Sequence, residues 1–307
     1  MNDLAKRIGA TFFICLVWSG SAFADEARPK GMYSKVQHLN EGLVTLLRQN
    51  MQSTFAIQVD PKLLGNAIQS RHVYQLALSI ELKLNAILQA NGVSSSPTRR
   101  IMARPYSSGD VSRLLSRMQS RIDRLLSYYN VTELPNYKEF EERGSVDVYY
   151  ALERMDRFLL KMGAPVVQPG HVLRRARALA GLAQKLCQVA ACEQVRRRAL
   201  AKDDVIIPAH VYQEAYRFIE GLNQYVNVYN ISLPGGVLAL KPQERMVQPA
   251  QVNKLMGVAL ADTIAVAKEA GVAEVVEFSD FNLHAIPRDV WREINFAQRL
   301  LKVAVQK

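Results

Sequence analysis

A short theme returns at nearly even intervals along this chain: a polar residue, then valine, then an amphipathic apolar pattern. It stands at Lys35-Val36, His72-Val73, Asp110-Val111, Asp147-Val148, His171-Val172, His210-Val211, Gln251-Val252 and Asp289-Val290. The steps from valine to valine are 37, 38, 37, 24, 39, 41 and 38 residues. A period of this size marks a chain that stacks copies of one unit, each burying its apolar edge against its siblings. In every other copy a large aromatic follows the valine, giving Tyr74, Tyr149, Tyr212 and Trp291. The alternate copies carry Gln37, Ser112, Leu173 and Asn253. The repeating object is therefore a pair of segments, present four times.

Each copy has a physical reason to start a helix. Pro169, Pro208, Pro249 and Pro287 all stand three residues before the valine. Proline fits the first helical position, where its missing N–H costs nothing. His171, His210, Gln251 and Asp289 then fall at the third position, facing the unpaired N–H groups of the first turn. Ser107 and Asp110 have the spacing of a capping box, with Asp in place of Glu. By equivalence, His72, His171 and His210 read as helix-start residues rather than metal ligands or proton switches.

Helical spacing follows each start. Val111, Leu114, Leu115, Met118, Ile122, Leu125 and Leu126 form one stripe, and the segments from Val73 and Val211 repeat it. The expected fold is all-α, with about eight main helices as four repeated pairs, stacked as a short α-solenoid or as fused helical bundles. Connections of about 15–20 residues are long for a compact bundle. Thr54–Val59, Asp204–Ile207 and Glu274–Phe278 are therefore expected to be minor extended or single-turn insertions. The short step from Val148 to Val172 predicts a tight antiparallel pair of helices.

The N-terminus reads as an export signal. Lys6 and Arg7 precede an apolar run from Ile8 to Trp18, and Ala22-Phe23-Ala24 supplies a cleavage site. The run is too short to span, since eleven helical residues rise only about 16 Å against a hydrocarbon core of about 30 Å. The expected organisation is a cleaved signal over 1–24, a flexible N-terminus over 25–31 and a helical repeat region over 32–307. That region has two natural halves, 32–163 and 164–307. A periplasmic or secreted location follows. It makes Cys187 and Cys192 candidates for a disulfide, provided the helix carrying Cys187 ends between them.

The formal net charge of +11 includes Lys6, Arg7 and Asp3 of the leader. A basic exported protein meets an anionic partner field, and the compartment argues against nucleic acid. Arg113, Arg117, Arg121 and Arg124 share one helical face, with Arg99, Arg100 and Arg104 before them. Arg174 and Arg175 head a second cluster. Guanidinium forks hold carboxylates and phosphates at two points, so these are the candidate anion- or partner-binding residues. The competing assignment is a helix face paired to acids of its neighbours. Tyr74, Tyr149, Tyr212 and Trp291 are candidate stacking positions or, on the competing assignment, packing wedges between repeats.

The common catalytic, phosphate-binding and dinucleotide-binding motifs have no match in the sequence. It points to no catalytic residue, metal or cofactor, and does not rank Glu141, Glu142, Glu214, Glu220 and Glu244 against one another. The leading function class is a non-enzymatic binding or scaffold module of the cell envelope for a protein or other anionic component. The alternatives are a ligand-sensing bundle and a peptidoglycan- or glycan-active enzyme.

Overall fold

The computed structural model describes residues 31–51, 68–94, 102–131, 140–141, 143–192, 195–200, 204–238, 247–272 and 276–306. The signal, Thr54–Val59, Arg99, Arg100, Glu142 and Glu244 lie outside the described residues. Eight helices carry the fold: α1 (Met32–Met51), α2 (Ser70–Ala90), α3 (Ser108–Tyr128), α4 (Ser145–Lys161), α5 (Pro169–Val189), α6 (Pro208–Val228), α7 (Pro249–Glu269) and α8 (Pro287–Val305). Two-residue strands, β1 (Met102–Ala103) and β2 (Val276–Glu277), pair antiparallel with Met102 opposite Glu277. The all-α expectation holds, with β2 inside the predicted extended piece. Among the described residues no helix is long and apolar enough to cross a membrane.

The repeated valine is the fourth residue of every helix from α2 to α8 and the fifth of α1, and all eight are buried. One position earlier, the side chain turns back and accepts the N–H of the residue before the helix. His72 Nδ1 accepts from Gln69 at 2.9 Å, Asp110 from Ser107 at 2.9 Å and His171 Nδ1 from Gln168 at 3.1 Å. Gln251 accepts from Gln248 at 2.8 Å and Asp289 from Ile286 at 3.2 Å. His210 makes the longest of these contacts, at 3.5 Å from the Ile207 N–H. The three histidines thus do the same work as Asp110 and Asp289.

Helices α2 to α7 also share one ending. The chain reverses at Gly92, Asn130, Gly163, Ala191, Asn230 and Gly271, all with positive φ. An amide just beyond each donates back into the last turn: Val93 to Leu88, Val131 to Leu126, Ala164 to Leu159, Cys192 to Cys187, Ile231 to Val226 and Val272 to Ala267. All six bonds are 2.9 Å long. This is the Schellman arrangement, in which the same two residues bring their side chains together. Five of the six pairs are apolar. The sixth is Cys187 with Cys192, whose Cα atoms are 5.2 Å apart and whose sulfurs are bonded. As expected, α5 ends between them.

The helices assemble as two rings of four. In the first, α1 and α2 each pack on α3 and α4; in the second, α5 and α6 each pack on α7 and α8. The first and second helices of each ring lie across one diagonal and the third and fourth across the other, while the second and third are neighbours. Cross-helix bonds give their direction. Lys35 at the start of α1 donates to Ser112 at the start of α3 at 2.8 Å, and Tyr129 just past α3 donates to Asn91 just past α2 at 2.6 Å. Helix α4 follows the same sense, with Asn40 of α1 reaching Ala151 and Lys83 farther along α2 reaching Asp156. In the second ring Tyr229 at the end of α6 donates to Ala304 at the end of α8 at 2.8 Å. The starts of α5 to α8 converge so closely that Pro169, Pro208, Pro249, Pro287 and the four repeat valines line one small apolar opening. All four helices of a ring run parallel. Each long connection is the return path from the end of one helix to the start of the next.

One expectation needs correcting. The pair α4 and α5 run in opposite senses but are not a tight hairpin, because α4 spends its apolar face on α1 and α2, and α5 on α7 and α8. Their short loop instead carries the chain from one bundle to the other.

The bundles meet along α2 and α7, which lie antiparallel. Arg71 Nε and His72 Nε2 both reach Asp262 Oδ1 at 2.7 Å, and the Leu238 amide donates to Asp262 Oδ2 at 2.8 Å. Arg71 also donates to the carbonyls of Pro234 and Gly236. Asp262 is 1% exposed. Burial opposes its charge, but the hydrogen bond from His72, the charge of Arg71 and the Leu238 amide hold its carboxyl below the ordinary value. The native state therefore releases this proton more readily than the unfolded chain. The stabilisation is complete above the ordinary carboxylate pKa of about 3.9 and is lost as pH falls through the lowered native value. Asp262→Asn should cost about 3–5 kcal/mol at pH 7, because it strands Arg71 in a buried site. Urea unfolding across pH should show that difference shrink in acid; a difference that stays constant from pH 7 to pH 3 contradicts the assignment.

Candidate functional site

The arginine stripe of α3 is largely paired inward. Arg117 Nε reaches Glu81 Oε1 of α2 at 2.8 Å, and Arg121 Nη1 reaches the same oxygen at 3.0 Å. Arg121 also bonds Asn85 and the Arg117 carbonyl. Arg124 donates to the Ser94 carbonyl at 3.1 Å. Arg113 and Arg104 clasp Asp110 at 2.7 and 2.9 Å. Burial works against the Asp110 charge, yet bonds from Arg104, the Ser107 amide and Arg113 hold its carboxyl well below the usual carboxylate range. These parallel helices keep Glu81 level with Arg117 and Arg121, so the stripe covers the α2–α3 seam. Arg113 remains open, at 69% side-chain exposure, and Arg124 is exposed as well.

The repeated aromatics do not form one platform. Tyr149 is buried where the bundles meet, with the Lys254 ammonium 5.5 Å from its ring centre, and Tyr212 is buried within the second bundle. Tyr74 is covered by Tyr106, which stacks on it at 3.6 Å. Trp291 is partly buried against the core. Burial pushes the Tyr149 and Tyr106 hydroxyls upward in pKa, so both stay neutral.

The second cluster behaves differently. Arg174 and Arg175 sit on the second turn of α5, and α2 faces them across the bundle junction. Between them opens a cleft of about 90 Å³ that also takes in Lys83, His171, Leu78, Leu82 and Phe278. Among the described residues lining it, none is acidic. Lys83 is paired from outside the lining by Asp156 at 2.6 Å. Arg174 lies across the Phe278 ring, 6.0 Å from its centre, and donates to the Ser279 carbonyl at 2.8 Å. Burial lowers the Arg174 pKa from its ordinary value, with Asp280 opposing the shift.

Arg175 forms the floor. Its guanidinium donates to the carbonyls of Asn253 (2.6 Å) and Gln75 (3.2 Å) and to Ser79 Oγ (2.6 Å). Burial lowers its pKa to about 10, which leaves it cationic at neutral pH. Gly257 on α7 makes the room, since a Cβ there would stand 3.2 Å from Arg175 Nη1. Burial also lowers the His171 pKa, with the charges of Arg174, Arg175 and Lys83 adding to the effect. Gly170, one residue earlier, lets the start of α5 touch Phe281 and the Asn282 carbonyl, which fixes this wall of the cleft.

Two residues escaped the sequence reading. Asp262 is a lone acid inside the apolar run from Val258 to Ala267, a signal that it faces a cation across a buried contact. Glu81 stands in the apolar segment that follows Val73, one repeat step before the arginine that it pairs with. For catalysis the arrangement offers little. Glu214, a candidate acid, is buried and held by Arg217 at 3.1 Å and Asn295 at 2.8 Å. Both ring nitrogens of His72 are engaged, with the Gln69 amide and with Asp262. Among the described residues no group of three or more His, Cys, Asp and Glu converges as metal ligands would.

The pairing of the α3 stripe has a direct energetic signature. Replacing Arg117 and Arg121 together by Met strands a buried Glu81 and should cost about 3 kcal/mol in thermal or urea unfolding. A loss below about 0.5 kcal/mol, typical of a solvated surface, contradicts it. No protein-family model, curated protein or solved structure matches this chain.

Proposed function

We propose that this is an exported, non-enzymatic binding module of the cell envelope whose site is the cleft between its two bundles. The partner presents a carboxylate or phosphate beside an apolar group. One observation carries this reading. Arg174, Arg175 and Lys83 meet Leu78, Leu82 and Phe278 in a cleft whose described lining holds no acid. A site that is mostly apolar, with a few convergent polar groups, is the usual form of a small-ligand pocket. Arg174 would meet the anion, since its Nε bonds only a neutral carbonyl and its plane is steadied against Phe278. The apolar wall would take the remainder of the ligand.

The Arg113, Arg117, Arg121 and Arg124 face is the weaker candidate, because its charge is largely spent on Glu81 and Asp110. Export fits the rest of the molecule. A disulfide that closes a helix end belongs in an oxidising compartment, and the periplasm follows from the leader.

The test uses protein recovered from a periplasmic extract, whose first residue is expected to be Asp25. Calorimetry with phenyl phosphate should give saturable binding at pH 7. Arg174→Gln should weaken binding by about tenfold, the usual scale for a charge-assisted hydrogen bond. Binding that is unchanged in Arg174→Gln, or absent from the wild type, overturns the reading.

A further inference from the structure

We infer that a second and smaller pocket, beside the cleft where Arg175 of α5 meets Gln75 of α2, is a site for a monovalent anion of halide size. The inference is independent of the proposed function, which concerns the outer cleft.

The first observation is an unbalanced charge. Arg175 is 6% exposed, and its hydrogen-bond acceptors are the carbonyls of Asn253 and Gln75 and the Ser79 hydroxyl. These take three of its five N–H groups and do not cancel its charge. The acids around it are committed elsewhere: Asp156 to Lys83, Glu153 to Lys254, and Asp262 to Arg71 and His72. Burying a cation without a counter-charge is costly even after the protein relaxes.

The second observation is an amide with nothing to bond. Gln75 is 2% exposed, and neither its Nε2 nor its Oε1 has a hydrogen-bond partner among the described residues. Buried polar side chains are rarely left so. Gln75 and Arg175 line the same cavity, of about 40 Å³, together with Lys83, Lys254 and Tyr149. Asp156, taken by Lys83, is the one acid in its described lining.

Size and chemistry select the ligand. A water molecule needs at least about 10–15 Å³ of such volume. The pocket therefore admits one chloride or bromide with a water, and is too small for an ester with an apolar tail. The anion would accept from Gln75 Nε2 and neutralise Arg175, while the water could donate to Gln75 Oε1. Because α2 supplies one side and α5 with α7 the other, the ion would bind the two bundles together.

The experiment compares thermal unfolding of the whole protein in sodium chloride, sodium bromide and sodium gluconate at equal ionic strength. An ion that binds only the folded state raises the Tm along a saturating curve. Chloride and bromide should do so and gluconate should not. Gln75→Glu places a fixed carboxylate beside Arg175 and should abolish the halide response while raising the Tm in gluconate. Arg174→Gln should weaken phenyl phosphate binding yet keep the halide response, so the two proposals fail separately. Wild-type crystals grown in sodium bromide should show an anomalous peak between Arg175 and Gln75. Equal Tm values in chloride and gluconate, a full halide response in Gln75→Glu, or a bromide structure with no peak there overturns the inference.

Discussion

Running every helix of a ring in the same direction imposes a demand that shapes the rest of the molecule. A helix of about 20 residues is about 30 Å long, so the chain must travel that distance back before the next can begin. The long connections do this, and within each ring they set the first helix diagonally from the second and the third diagonally from the fourth. Parallel alignment also gathers like ends of the helix dipoles, which repel. The two recurring end structures answer that. At the start, a His, Gln or Asp side chain takes the N–H that precedes the helix. At the finish, a Schellman turn returns an amide to an unpaired carbonyl. Between them the buried valine fixes each helix at the same height as its neighbours.

The join between the bundles is of another kind. Each ring closes on apolar side chains, whereas the α2–α7 contact includes a buried polar seam of Arg71, His72 and Asp262, and Arg175 of α5 meets α2 farther along, at Gln75 and Ser79. Such seams add less stability than apolar packing of equal volume, and their use is in fixing one relative placement. Here that placement defines a site. The cleft has one wall on each bundle, so a small change at the seam would separate Lys83 from Arg174. Gly257 and Gly170 serve the same end, by allowing the Arg175 guanidinium and the Phe281 loop to come close to helix backbone.

Much of the helical design was readable from one sequence. Eight valines at even steps mark eight helices, Pro169 to Pro287 mark four starts, and the third-position side chains follow from the N–H groups they face. The Cys187–Cys192 bond was readable too, although the reason was not. It replaces an apolar contact that recurs as Leu88–Val93, Leu126–Val131 and Val226–Ile231, a regularity visible only once the helix ends are aligned. The direction of the helices was not readable, because an amphipathic stripe packs equally well on a parallel or an antiparallel neighbour. The same gap explains α4 and α5, where a short loop implied a hairpin but each helix had two better partners. It also hid the pairing of Arg117 and Arg121, since only a parallel α2 brings Glu81 level with them. Arg175 looked like its neighbour Arg174 in the sequence, yet one residue of helical rotation carries it from the cleft wall into the interior.

Parallel packing is the claim on which the return paths, the converging helix starts and the bundle junction all rest. Spin labels test it most directly, with exposed Gln213 near the start of α6 paired first with Arg292 near the start of α8 and then with Lys302 near its end. Dipolar distances should be clearly shorter for Gln213 with Arg292 than for Gln213 with Lys302. The reverse order would mean that neighbouring helices alternate in direction, and the architecture described above would be wrong.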